Sequence, residues 1–164
     1  MKLSSGVCPV PALLKAGVNV SIGTDGAASN NDLDMFGEMR SAAFLGKLSS
    51  QNPRALDAHT TLSMATIGGA RSLGLEHEIG SLEPGKRADL IAVDLGKLAT
   101  SPVYSPLSAL VYSAHGGHVS HVWVGGRAQV REGRLVQLDE SALLRDTEAW
   151  RVRIAAAHAR RQAL

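Results

Sequence analysis

The run Val18-Asn19-Val20-Ser21-Ile22 is short, largely apolar and bounded by Gly17, and it ends on Gly23-Thr24-Asp25-Gly26. This stretch constrains the fold more than any other, because an acidic side chain just past the end of a buried strand is where a β/α barrel places its chemistry. The Gly, Ala, Ser and Asn residues that follow, through Asn31, are turn formers, so Asp25 is expected at a mouth and not inside a helix. Asp-Gly is also an ordinary turn pair, and a plain turn stays open as the alternative.

Around this run the pattern is helical. Pro9 to Ala16 reads as a short helix closed by Gly17, so that with a strand from Val18 to Thr24 it forms an αβ unit. Met35, Met39, Ala42 and Leu45 recur at helical spacing and predict a helix from about Leu33 to Leu48, with Glu38, Arg40 and Lys47 on its surface. Asp57 suits the N-cap of the next helix, which carries Leu62, Ala65 and Gly69 on one face and stops at Gly74. The methionines on these helices read as core filler. Asp32 and Asp34 stand just ahead of a helix, where carboxylates cap and favour the dipole. Asn30 and Asn31 either face a ligand or simply complete the turn.

After Leu75 the texture becomes that of strands. Ile79-Gly80-Ser81-Leu82 and Ala88 to Val93 flank Glu83-Pro84-Gly85-Lys86 and predict a hairpin. His121-Val122-Trp123-Val124 and Ala128-Gln129-Val130 flank Gly125-Gly126-Arg127 and predict a second. Pro106 to Ala114 has room for one or two helical turns. A final helix starts at Asp139, with Leu143, Trp150, Ile154 and Ala157 along a seam.

Bulk properties narrow the function. The chain has 164 residues, 45% of them hydrophobic, as expected of a soluble globular protein. A net charge of +2 and two each of Trp, Tyr and Phe give little to hold or stack nucleic acid. The basic residues Arg151, Arg153, Arg160 and Arg161 follow the acidic start of the last helix, the order that a helix dipole favours. Cys8 is the single cysteine, which excludes an intrachain disulfide and predicts a buried, inert thiol. No apolar run reaches the length of a membrane span, and Met1 to Gly6 does not read as a signal peptide, so a cytoplasmic location is the default expectation.

The cluster His115-Gly116-Gly117-His118-Val119-Ser120-His121 has poor metal-ligand spacing. On a strand His118 and His121 point to opposite faces, and the glycines argue against a rigid helix, so a polar loop leading into a strand is expected. His59 falls in the first turn of a helix, and His77 and His158 read as exposed. Glu83-Pro84-Gly85-Lys86 lacks the glycines that a phosphate loop needs ahead of it.

One resemblance covers nearly the whole chain and fades in the last helix. Its most specific segment is Gly23-Thr24-Asp25-Gly26-Ala27-Ala28-Ser29-Asn30-Asn31-Asp32-Leu33-Asp34-Met35, followed by Glu38-Met39-Arg40. Lys2-Leu3-Ser4-Ser5-Gly6, Pro9 to Leu14 and Ala16 to Val20 precede it, and Ile79 to Leu90 is similar to a hairpin found widely in the same group. Together these resemble the C-terminal part of the amidohydrolase superfamily, in the branch of 5-methylthioadenosine/S-adenosylhomocysteine deaminases and related triazine hydrolases. Gly68 departs from the Asn often seen there.

The resemblance implies an α/β fold class, the C-terminal portion of a (β/α)8 barrel plus part of a small β-sandwich domain and a C-terminal helix. Residues 1–75 would belong to the barrel, 76–138 to the β domain and 139–164 to the helix. Asp25 then matches the aspartate that ends the eighth barrel strand, with catalytic, substrate-binding and metal-ligating roles. The implied cofactor is a divalent metal, Zn2+, whose bound water loses a proton to the carboxylate and attacks C6 of an adenine ring, releasing ammonia. A purine nucleoside is the implied partner, with no nucleic acid or membrane and with a homo-oligomer open. The family's His-x-His pair is absent, since no two histidines here are separated by one residue. A complete barrel takes roughly 250 residues, and the metal-binding His and acid/base Glu of its middle strands would lie upstream of Lys2. Met1 stands where the family commonly has Leu or Met, and so reads as an internal methionine promoted to a start, or the edge of a truncated reading frame. Three readings follow: a truncated and inactive portion of a methylthioadenosine or S-adenosylhomocysteine deaminase, the same for a chlorotriazine or other amino-heterocycle, and a non-catalytic remnant that associates with a partner subunit.

Overall fold

The computed structural model describes residues 3–162. Met1, Lys2 (which opens the first resembling segment) and the last two positions of the expected final helix lie outside the described residues.

The helices form close to where the pattern places them. α1 spans Val10–Lys15 and α2 spans Met35–Ser50, its first free amide at Phe36 satisfied by the Asp34 carboxylate at 2.9 Å. α3 spans Ala58–Ala65, with Asp57 accepting from the Thr60 amide at 2.8 Å. The helix predicted to run on to Gly74 is in fact two. Thr66 leaves helical geometry (φ −123°, ψ −97°) and its hydroxyl donates back to the Leu62 carbonyl at 2.8 Å, so α4 begins afresh at Ile67 and ends at Ser72. A back-bonding threonine competes with the helix ladder in this way.

The core is built between α2 and α5 (Pro106–Tyr112). Phe36, Met39, Ala43, Val111 and Ala114 are buried together, and Val93, Leu95 and Val119 pack against them from the sheet side. Two polar ties hold the same junction. The Arg40 guanidinium donates to the Ala114 carbonyl, and the Gly116 amide donates to the second oxygen of Asp34 at 3.0 Å. Arg40 and Lys47, expected on the surface, are half-buried instead. Lys47 donates to the carbonyls of Ala55 and Leu56 at 2.7 and 2.8 Å, fixing the loop between α2 and α3.

A four-stranded antiparallel sheet follows the order β1 (Leu90–Val93), β2 (Val119–Val124), β3 (Arg127–Arg131), β4 (Arg134–Leu135). The expected hairpin at Gly125-Gly126 is present, both glycines taking positive φ (55° and 75°), as the tight turn joining β2 to β3 demands. The other expected hairpin is not. Residues 79–82 carry no strand, and β1 pairs with β2 in the register Leu90↔Trp123 and Ile91↔Val122. The Lys86 ammonium folds the Glu83-Pro84-Gly85 turn inward, donating to the Glu76 carbonyl and the Ser81 hydroxyl, both at 2.6 Å. That lysine does for this loop what a ladder would have done. α6 (Glu140–Gln162) closes the chain, with the Asp139 carboxylate accepting from the amides of Ser141 and Ala142.

The stretch Val18 to Thr24 departs most from expectation. It carries no regular secondary structure and lies in no sheet. Its amide contacts are Val18 to the Leu13 carbonyl at 3.0 Å and Ile22 to the Met64 carbonyl at 3.2 Å. Among the described residues it has no ladder partner, so the segment has the composition of a strand without the pairing.

Candidate functional site

Asp25 stands just past the end of this run. Its φ of +59° lies in the left-handed region, which Asp tolerates better than most residues, and the turn leaves its carboxylate exposed. The Ser29 hydroxyl donates to Asp25 Oδ2 at 2.7 Å. That bond first, and the Gly26 amide second, hold the carboxyl below the usual aspartate range. Asp25 is therefore an anion at neutral pH, with its remaining lone pairs facing solvent.

An open groove of about 540 Å³ runs past the carboxylate, lined among others by Cys8, Ile22, Ser29, Asn30 and Glu38. The Asn30 side chain donates to the Glu38 carboxylate at 2.6 Å, which corrects the placing of Glu38 as a free surface residue. Cys8 is exposed, not buried, since the segment before α1 lies over open space. Ser29 and Glu38 are the site residues that sequence reading missed. The four-residue step from Asp25 to Ser29 within one turn was the available signal for the first. The position of Glu38 on the first turn of α2, facing the loop, was the signal for the second.

Behind the run, α4 comes close. A Cβ on residue 68 would stand 2.9 Å from the Ser63 carbonyl oxygen and 3.0 Å from that of Val20, so the glycine at this position permits the approach. Asn19 fastens the contact, donating to the Gly68 carbonyl at 3.0 Å and the Ser72 hydroxyl at 2.9 Å. The backbone leading to Asp25 is thereby anchored on one side.

The histidine cluster serves the backbone. His115 Nδ1 accepts from the Gly117 amide at 3.1 Å, and His118 Nδ1 accepts from the His115 amide at 3.2 Å, a reciprocal cap around the short 3₁₀ turn Gly116–His118. His118 is buried, and His121 stacks on Trp123 with ring centroids 5.3 Å apart. Among the described residues no group of three or more His, Cys, Asp and Glu side chains could hold a metal ion. Zinc sites draw on three or four such ligands, so the donor set of this chain does not fit a complete metal centre. Asp25 is a single exposed carboxylate.

The sequence model of the amidohydrolase family matches residues 1–129. A 5-methylthioadenosine/S-adenosylhomocysteine deaminase of Teredinibacter turnerae is 49% identical over 156 residues, which is 95% of this chain and 35% of that protein. The zinc-bound crystal structure of an adenosine deaminase from Xanthomonas campestris superposes with a TM-score of 0.92 at 50% identity, covering 94% of this chain and 35% of that one. The zinc complex of an atrazine chlorohydrolase from Arthrobacter aurescens superposes with a TM-score of 0.79 at 32% identity, over 88% of this chain and 32% of that one. The chain spans about a third of the length of the curated relatives it matches. No described helix is long and apolar enough to cross a membrane. The mixed helix and strand architecture, the matched sequence and these superpositions agree: the chain belongs to the amidohydrolase family.

Proposed function

We propose that this chain carries the Asp25-bearing portion of a metal-dependent aminohydrolase that removes the amino group of an adenine nucleoside, 5-methylthioadenosine or S-adenosylhomocysteine, as ammonia. The observation that carries the reading is Asp25 itself: an exposed, ionised carboxylate just past the end of an apolar run, opening on a groove, in a chain 49% identical to a relative named for that activity. In this reading Asp25 is one ligand of a divalent metal, zinc, as well as a proton acceptor and a substrate contact. The 164-residue chain by itself is inactive, because one carboxylate does not retain zinc against water. Hydrolysis of a chlorotriazine is the second reading, favoured by the likeness to the atrazine chlorohydrolase, but at 32% identity it has weaker support. A non-catalytic remnant is the third.

Two measurements test this. Elemental analysis of the purified chain is expected to find no stoichiometric zinc, with no ammonia released from methylthioadenosine; near one zinc per chain with turnover would overturn the inactive-chain reading. Grafting the 156 residues that match the Teredinibacter turnerae relative in place of their counterpart in that protein is expected to give an active chimera. Asp25→Asn in that chimera should then lose about 10²–10⁴-fold in kcat/KM. A chimera indifferent to Asp25→Asn would refute the role given to this carboxylate.

A further inference from the structure

The long helix α6 presents an uncovered apolar stripe. Every side chain from Leu143 to Arg161 is exposed, and the exposure of Trp150 and Ile154 reaches 56% and 64%. Leu143, Thr147, Trp150, Ile154 and Ala157 follow one another at alternating steps of four and three residues. That spacing is the seam of a helix pair, while the exposed Leu144 and Val152 lie off it.

The charges identify the partner. From Asp139 to Glu148 the chain carries Asp139, Glu140, Asp146 and Glu148 against a single Arg145. From Ala149 to Gln162 it carries Arg151, Arg153, Arg160 and Arg161 and no acid. Laid end for end, the helix is its own electrostatic complement; laid parallel, acid meets acid and base meets base. We propose that α6 docks antiparallel on α6 of a second copy of this chain, about a two-fold axis passing between Glu148 and Ala149. Such an interface is isologous, so each contact occurs twice.

The register follows from the sequence. With the axis there, Ile154 of one copy covers Leu143 of the other, and Trp150 covers Thr147. Along the border of the seam Asp146 faces Arg153 of the other copy, and Asp139 faces Arg160. A slip of one heptad sets Arg153 against Arg153 in one direction and Asp146 against Asp146 in the other, so charge opposes both slips. Arg153 already lies along the seam, its guanidinium 4.3 Å from the centroid of the Trp150 ring. Arg151 is engaged within its own helix by Glu148, at 2.6 and 2.8 Å. The two copies overlap from Glu140 to Ala157, about 27 Å at ~1.5 Å per residue. One helix pair of that length buries less than the ~1,200–2,000 Å² of a standard interface, so a micromolar dimer is expected.

Sedimentation velocity on the full 164-residue chain tests this, with Cys8→Ser to remove disulfide dimers and circular dichroism to confirm that each variant keeps its helix. The wild-type chain should pass from monomer to dimer across the micromolar range, more tightly at low salt. Asp146→Arg alone and Arg153→Asp alone should each weaken the dimer ~10-fold or more, and the two together should restore it. A chain that stays monomeric throughout would overturn the proposal. So would association that Asp146→Arg leaves unchanged, which would place the contact elsewhere, for instance at the unpaired run beside Asp25.

Discussion

Two stretches of this molecule are built from strand-favouring residues and reach different states. Val18-Asn19-Val20-Ser21-Ile22 alternates β-branched residues with polar ones, and Val119-Ser120-His121-Val122-Trp123-Val124 sets three valines and a tryptophan around an adjacent Ser-His pair, so both favour a strand. The second is β2, with β1 on one side and β3 on the other. The first has no ladder, and grooves of about 540 and 430 Å³ border it. Side-chain preference for the pleated conformation is therefore insufficient, because a strand is a property of a pair. β2 finds β3 two residues away across Gly125-Gly126, whereas the run before Asp25 has no ladder partner in the described chain.

The largest measurable consequence is in amide exchange. The amides of Asn19, Val20, Ser21, Gly23 and Thr24 are expected to exchange at nearly free-chain rates, and those of β2 more slowly by ~10³-fold or more, since opening free energies run from near zero to the global value. Comparable protection in both stretches, read by mass spectrometry or NMR, would show that the run acquires partners in solution. A substitution pair sharpens the same contrast. Val122→Pro in β2 removes a donor from a strand with a neighbour on each side and strands a carbonyl, so it is expected to cost ~1–3 kcal/mol or more. Ser21→Pro removes an amide that donates to no group among the described residues and should stay within ~0.5 kcal/mol. Urea denaturation of the two variants checks the ranking, and equal losses would erase the distinction between the stretches.

How much the sequence discloses follows the same division. Helices are short-range objects, so Asp34 and Asp57 could be placed as caps from their neighbours alone. The Gly125-Gly126 hairpin was legible for the same reason. The turn at Glu83-Pro84-Gly85-Lys86 was correctly identified, but its flanks were not, because Lys86 reaching the Glu76 carbonyl is a contact that no strand pattern encodes. Pairing of β1 with β2 joins residues some thirty positions apart and left no local trace. At the candidate site the exposure of Asp25 was legible, because the turn residues that follow the apolar run keep its carboxylate out of a helix. Its partner Ser29 and the Asn30–Glu38 bond depend on how one loop folds back, and were not.

The smallest expected effect concerns α3, whose far end supplies the Met64 carbonyl to Ile22 and so steadies the unpaired run. Asp57 caps α3, and the backbone amide of Thr60 first, then its side chain, lower the Asp57 carboxyl below the ordinary value of 3.8. A carboxyl with a depressed folded pKa adds stability that is complete above the unfolded value and disappears as pH falls through the folded one. Asp57→Ala is expected to cost ~1 kcal/mol near neutrality, and Asp57→Asn much less, since asparagine caps almost as well. The wild-type melting temperature should therefore fall more steeply than that of Asp57→Asn as pH drops below about 3.8, with the two curves parallel well above it. Protection at Ile22, taken relative to the intrinsic exchange rate at each pH, should fall in the same acid window while the β2 ladder stays protected. Parallel melting curves across the whole range would mean that this cap does not steady the approach to Asp25.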